Sequence, residues 1–196
     1  AVLTRIASSH LRAGTFQYAI VESEEAAKEL ADYAIERHYP DFADKDNKYE
    51  LFLEAVIHAQ SYLIAKWQSI GFIHGVMNTD NMSISGETID YGPCAFMDRY
   101  DPATVFSSID HQGRYAFANQ RPIALWNLSR LAESLLPLID ADVDRAVQRA
   151  TAVLEGFQPL FERSWQAMMR AKLGLVGAQA GDVQLCQQWL DLLQAH

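Results

Sequence analysis

Apolar positions fall at helical spacing along most of this chain, and the pattern breaks off once, in the middle. Ala26, Ala27, Leu30, Tyr33 and Ala34 share one face of a helix expected from Ser23 to about His38. Ser23 is a favourable N-cap, Glu24 and Glu25 fill the first turn and Arg37 and His38 the last, as the helix dipole prefers. Tyr39-Pro40 stops the run, and the polar stretch 41–47 reads as a loop. A longer helix is expected over 48–70, where Phe52, Ala55, Val56, Ala59, Tyr62, Leu63, Trp67 and Ile70 form an apolar stripe and Gly71 a suitable stop. A stripe of that length predicts the central buried helix, with His58 partly buried on it.

From Phe72 to about Asn119 the helical period disappears. Met82-Ser83-Ile84 and Thr88-Ile89 flank Ser85-Gly86-Glu87, which predicts a small β-hairpin. From Pro93 to Asn119 the chain is rich in Gly, Pro, Asp and Ser and reads as an extended loop, of a length that usually serves a function. Helical spacing then returns. Pro122 suits a first turn ahead of Ile123, Trp126, Leu131 and Leu135, and Pro137 is expected to break that helix. Further helices are expected over about 141–156, 159–173 and 182–194, with 174–181 a small-residue connector. The fold class is therefore mainly α, one helical domain interrupted by a loop-and-hairpin insert. Trp126, Trp165, Trp189 and Met168-Met169 fall on stripes expected to pack in the core.

Composition adds limits. The chain has 196 residues, 49% hydrophobic and 21% charged, which fits one globular domain and not a disordered segment. A net charge of -9 argues against a nucleic-acid partner held through phosphates, although a local arginine pair can still hold a nucleotide. Cys94 and Cys186 are expected as reduced thiols, and no apolar run approaches a membrane span. The chain begins at Ala1 and enters directly into patterned sequence, which reads as a piece of a longer product.

The candidate chemistry lies in the insert. His74-Gly75-Val76-Met77-Asn78-Thr79-Asp80-Asn81 is followed by the expected hairpin and then by Ile89-Asp90-Tyr91-Gly92-Pro93. Transfer of a phosphoryl or nucleotidyl group from ATP needs a divalent cation on the phosphates, and magnesium takes hard oxygen ligands. Asn81 and Asp90, at the two ends of a hairpin, can converge on one ion, and Asp80 can accept a proton from an attacking hydroxyl. A long helix, a loop closing in Asn, a hairpin and an Asp-aromatic-Gly motif is the order found in kinase-like catalytic lobes. Taken singly, Asp80-Asn81 also fits an ordinary turn, and Asp90 to Pro93 a polar turn closing a strand. In small-molecule kinases a carboxylate follows the His-Gly pair; here Val76 stands there, so Asp80 is the nearest base. His10 and His74 read as hydrogen-bonding loop residues, since no second His or Cys lies at ligand spacing.

Thr4-Arg5-Ile6, the run Ser9 to Gln17, the 74–81 loop, Ile89 to Pro93 and Asn119-Gln120-Arg121-Pro122 together resemble the selenoprotein O (YdiU) family, from Ala1 to about Ile139. The resemblance implies a kinase-like fold with altered active-site geometry that transfers AMP from ATP to Ser, Thr or Tyr hydroxyls of proteins. It implies Asp80 as proton acceptor, Asn81 and Asp90 as ligands of magnesium (or manganese), and Asp90, Arg5 and Arg12 as the ATP-binding set, with the arginines on the phosphates. On their own, Arg5 and Arg12 read as surface arginines, or as two guanidinium forks on one face if their segment is helical. The family's Gly-rich loop and nucleotide-binding Lys are expected upstream of Ala1, and its C-terminal region beyond His196. Residues 1–196 are thus expected to be a kinase-like C-lobe, acting on ATP and protein hydroxyls, without nucleic acid or membrane. The implied location is bacterial cytoplasm, or the mitochondrion in a eukaryote. Two other readings remain: a small-molecule phosphotransferase, which Val76 disfavours, and a non-catalytic pseudokinase scaffold, which the Asp80, Asn81 and Asp90 set disfavours.

Overall fold

A computed structural model describes Val2 and residues 4–195. It is mainly helical. Seven α-helices occur among the described residues: α1 (Ala13–Glu22), α2 (Glu24–His38), α3 (Lys48–Ile70), α4 (Gln120–Ile139), α5 (Val143–Glu155), α6 (Phe157–Lys172) and α7 (Asp182–Ala195). Two short strands, β1 (Phe72–Ile73) and β2 (Ala95–Phe96), pair antiparallel, with Phe72 opposite Phe96 and Ile73 opposite Ala95.

α3 is the central helix. It packs against α4, α5 and α6 and buries Phe52, Leu53, Val56, Ile57, Ile64, Ala65 and Trp67. The expected stripe is wider than the buried one: Tyr62 and Ile70 are half-exposed, and His58 faces solvent, not the core. α2 starts where Ser23 Oγ accepts from Ala26 N at 3.0 Å, the expected cap. α4 buries Ala124, Leu128, Leu131, Leu135 and Ile139, one face at helical spacing. Trp126 lies off that face and is 43% exposed, so it is a surface residue and not core filling. Arg149 ties α5 to its neighbours, donating through Nε to Glu50 on α3 at 3.0 Å and through Nη1 to the Ile139 carbonyl at 3.0 Å.

Two further expectations are corrected, and one helix is added. Pro137 does not break α4, which runs on to Ile139. Pro137 and Glu133, whose carbonyl loses its usual partner, both lie on the exposed face, so water can satisfy that oxygen. Ala13–Glu22 is helical although no stripe announced it. The 82–89 hairpin does not form, so the fold class loses the hairpin proposed to carry the metal site. Ser83 instead bridges Arg12 in antiparallel register, with Ala13 N donating to Met82 O and Ile84 N to Leu11 O, each at 3.0 Å. Gly86 has φ 68°, and a Cβ there would lie 2.8 Å from Ala59 Cβ. The turn is therefore shaped by its seat on α3 and not by strand pairing.

Candidate functional site

The site is built from two loops and an N-terminal segment, all fixed by buried side chains. Residues 9–13 run extended beside 82–84, and Ser83, fully buried, donates from Oγ to the Ser9 carbonyl at 3.0 Å. Arg12 is the N-cap residue of α1, with φ -121° and ψ 155°. The segment carrying Arg5 and Arg12 is thus extended, which corrects the option of one helical face for both. Arg5 lies against the 87–88 stretch, donating through Nε to Thr88 O at 3.3 Å and facing Glu87 at 3.5 Å. Arg12 reaches further along the same stretch, its Nη2 3.0 Å from Asp90 Oδ2. Its Nε is buried without a hydrogen-bond partner.

Glu87 gave no signal in the sequence, yet it fastens the N-terminal segment. Its Oε2 accepts from Ser8 N at 2.7 Å and from Ser85 Oγ at 2.9 Å. Burial pushes its carboxyl up, but the hydrogen bonds from Ser85 and Ser8 and the Arg5 charge outweigh that and hold it below the usual range.

The 74–81 loop hangs on amide side chains. Gln120, buried at the start of α4, accepts from His74 N at 3.0 Å and donates to Phe72 O at 2.9 Å. Asn127, seven residues on along the same face, donates to Met77 O at 2.9 Å. On the other side Gln60 of α3 donates to Ser83 O at 2.5 Å. Each amide satisfies a loop carbonyl that would otherwise be buried unpaired.

His74 links the two loops. It is fully buried, its ring stacked on Trp67 with centroids 5.4 Å apart. Its Nε2 bonds the Ile89 carbonyl at 2.8 Å, and Val76 N donates to its Nδ1 at 3.4 Å, an arrangement that fits a neutral ring with its proton on Nε2. Burial lowers its pKa, partly opposed by the Ile89 carbonyl and the Asp90 charge. Trp67 Nε1 donates to Thr88 Oγ1 at 2.9 Å, so Thr88 and Ile89, the two residues before Asp90, are both held from α3 and the 74–81 loop. The expected hydrogen-bonding role of His74 is met; the part of Trp67 was not expected.

Asp80 sits in a 3₁₀ turn, Thr79–Asn81, and is exposed. The start of α1 lies against it: a Cβ on Gly14 would be 3.1 Å from Asp80 N, a tighter approach than side chains normally make. Asn81 is half-buried and donates from Nδ2 to Val76 O at 3.0 Å, which leaves its Oδ1 as the remaining acceptor of the amide. Asp90 is half-exposed and has φ 53°, the only non-glycine positive φ among the described residues. Carboxylate and amide side chains tolerate that backbone best. The structure thus joins Arg12 with Asp90 directly and Arg5 with the stretch leading to it, and it sets Asp80 against α1. Asn81 Oδ1 and the Asp90 carboxylate are hard oxygens of the type that magnesium takes, and the unpartnered Arg12 Nε is a donor of the type that phosphate takes. Among the described residues no cluster of three or more His, Cys, Asp or Glu could hold a metal alone. Both cysteines are free, and no helix among the described residues is long and apolar enough to cross a membrane.

These features define a helical scaffold presenting two carboxylates, an amide and two arginines on interlocked loops. A family model described as Protein adenylyltransferase SelO matches residues 1–196, and the chain belongs to that family. The match runs past Ile139, where the motif resemblance stopped, to the end of the chain. Similar relatives include proteins named Protein nucleotidyltransferase YdiU. The one from Rhizobium etli is 58% identical over all of this chain and 39% of its own length. That from Shouchella clausii is 58% identical over all of this chain and 40% of its own length, and that from Rhodopseudomonas palustris 61% over 97% and 39%. The chain therefore spans about two fifths of the length of these relatives.

Proposed function

We propose that this chain supplies the metal-binding and proton-accepting side of a protein adenylyltransferase. The observation that carries the reading is the Arg12–Asp90 pair, with Asp90 held in a left-handed backbone by the His74–Ile89 and Trp67–Thr88 bonds. A residue kept in a costly conformation by two buried anchors, with its carboxylate left exposed, is arranged for a ligand and not for packing. The family description and the relatives' names support nucleotidyl transfer as the reaction class.

In this reading Asp90 and Asn81 hold magnesium, or manganese, and that ion neutralises charge on the phosphates when bound. Arg12 exchanges its partner Asp90 for a phosphate oxygen of ATP, and Arg5 holds the phosphate chain further out. Asp80 takes the proton from a Ser, Thr or Tyr hydroxyl of a protein as its oxygen bonds to the α-phosphorus. The bond to the bridging oxygen breaks, and pyrophosphate leaves. Val76 follows Gly75 where a phosphotransferase would place its base, which favours this reading over phosphoryl transfer to a small molecule. A bacterial cytoplasmic setting suits an ATP-consuming reaction of this kind.

Labelled ATP tests it. The family-length protein is expected to move α-phosphate label onto a protein acceptor and to leave γ-label in pyrophosphate. Transfer of γ-label, or of none, removes the reading.

A further inference from the structure

Beside the 74–81 loop lies a groove of about 390 Å³, lined by Val76 and Asn78 on one side and by residues between Ser107 and Tyr115 on the other. Its outer wall is fastened in place. The Asp110 carboxylate accepts from Arg114 N at 2.9 Å and Tyr115 N at 2.8 Å, and Asn119 Nδ2 donates to Gly113 O at 2.7 Å. The Tyr115 hydroxyl donates to Asn78 Oδ1. Asn78 in turn accepts through its carbonyl from Asn81 N at 2.9 Å, closing the turn that carries Asp80. The groove therefore reaches Asn78, two residues before Asp80, the residue proposed as the base, and is coupled to the turn that holds it.

Arg114 stands on this wall and is exposed. Its guanidinium lies 4.9 Å from the ring centre of Trp126 and 5.7 Å from that of Tyr115. Arg130 flanks the same indole at 5.3 Å but is paired with Glu133. Arg114 has no such carboxylate among the described residues, in a chain of net charge -9. The one carboxylate lining the groove, Asp110, is engaged by two backbone N–H groups. Stacking orients the guanidinium and leaves its N–H edge for an anion. Ile109, 80% exposed, adds an apolar surface on the same groove.

We infer that this groove receives the acceptor segment of a protein substrate that carries an acidic residue near the target hydroxyl, its carboxylate on Arg114. The hydroxyl part of that inference rests on the adenylyl-transfer reading; the acidic selectivity rests on Arg114 and the groove alone. Short fluorescein-labelled peptides with a central tyrosine, flanked by glutamates or by lysines, are titrated with the 1–196 chain, and fluorescein anisotropy is followed. The glutamate peptide is expected to bind about tenfold tighter, the scale of one charge-assisted contact, with the advantage falling as salt rises. Arg114→Glu is expected to reverse the preference and Arg114→Gln to erase it, with far-UV circular dichroism unchanged in both. Equal binding of the two peptides, a preference that survives Arg114→Glu, or displacement of the peptide by ATP overturns the inference. An Arg114-dependent preference in a protein whose family-length form transfers no AMP upholds the groove and removes the adenylyl-transfer reading instead.

Discussion

Arg12 and Asp90 meet at 3.0 Å with both side chains still more than a third exposed. Such a pair is worth only ~0–1 kcal/mol, so it sets geometry without locking it. An arginine held weakly on the carboxylate, with a buried Nε still unpartnered, is free to turn to a phosphate when one arrives.

Asp90 separates stability from chemistry. Asp90→Asn keeps a side chain suited to φ 53° and is expected to change unfolding free energy by no more than about 0.5 kcal/mol. Asp90→Ala lacks that tolerance and is expected to cost about 1 kcal/mol. Both are expected to abolish AMP transfer in the family-length protein. Urea titration of each variant beside a labelled-ATP assay separates the two effects, and wild-type transfer in either variant removes Asp90 from the site.

Asp80→Ala is expected to slow transfer by roughly 10²–10⁴-fold with no loss of stability, since the residue is exposed. Gly14→Ala offers a subtler check. Alanine suits the first turn of α1, but its Cβ would press on Asp80 N at 3.1 Å. The expected result is a protein as stable as the parent in which kcat falls and ATP affinity holds. Unchanged kcat would mean that the position of the 79–81 turn is immaterial.

Gln120→Leu removes both partners of buried backbone groups, His74 N and Phe72 O. Each orphaned group costs about 1–3 kcal/mol, so a loss of about 2–6 kcal/mol is expected from chemical denaturation. A loss under about 1 kcal/mol would show that the loop finds other partners or water.

His74 gives a pH signature. Burial lowers its folded pKa below the ordinary 6.5, so between the two values the unfolded chain binds more protons than the folded one. Its contribution to stability is full above pH 6.5 and declines as pH falls through 6.5 toward the folded value. His38 is lowered too, by burial and then by Arg37, but it stays in both proteins when wild type is compared with His74→Phe. The variant keeps an aromatic ring against Trp67 and is expected to show a shallower loss of stability below pH 6.5. Parallel curves for the two proteins would remove the assignment of a neutral buried His74.

The helices were legible where one apolar face repeats, as in α2, α3, α5, α6 and α7. α4 was legible in its stripe but not in its passage through Pro137, since the exposure of the Glu133 carbonyl is a tertiary fact. The order of the 74–81 loop and the Asp90 motif could be read, but not the way they are held. Ser85-Gly86-Glu87 has the chemistry of a hairpin turn, whereas only its first flank pairs, through Met82 and Ile84 with Ala13 and Leu11, and distant pairing leaves no local trace. Gln120 and Asn127 did leave one: two amides seven apart on the buried face of α4 have to find partners there. Gln60 on the α3 stripe is the same kind of clue. The division of labour, with Asn81 and Asp90 on the ion and Asp80 on the proton, came from the order of motifs, and the Asp80 and Asp90 variants above test it.

The left-handed turn at Asp90 also bears on how this family can diverge. The two residues that best tolerate such a backbone besides aspartate, asparagine and glycine, are each one base change from its codons. A lineage can therefore lose the carboxylate in a single mutational step while the loop, the His74 anchor and the helical scaffold stay folded. Silent descendants of this scaffold, well folded and kept for binding alone, are then within easy reach of drift, and a genome survey would recognise them by the residue at this one position.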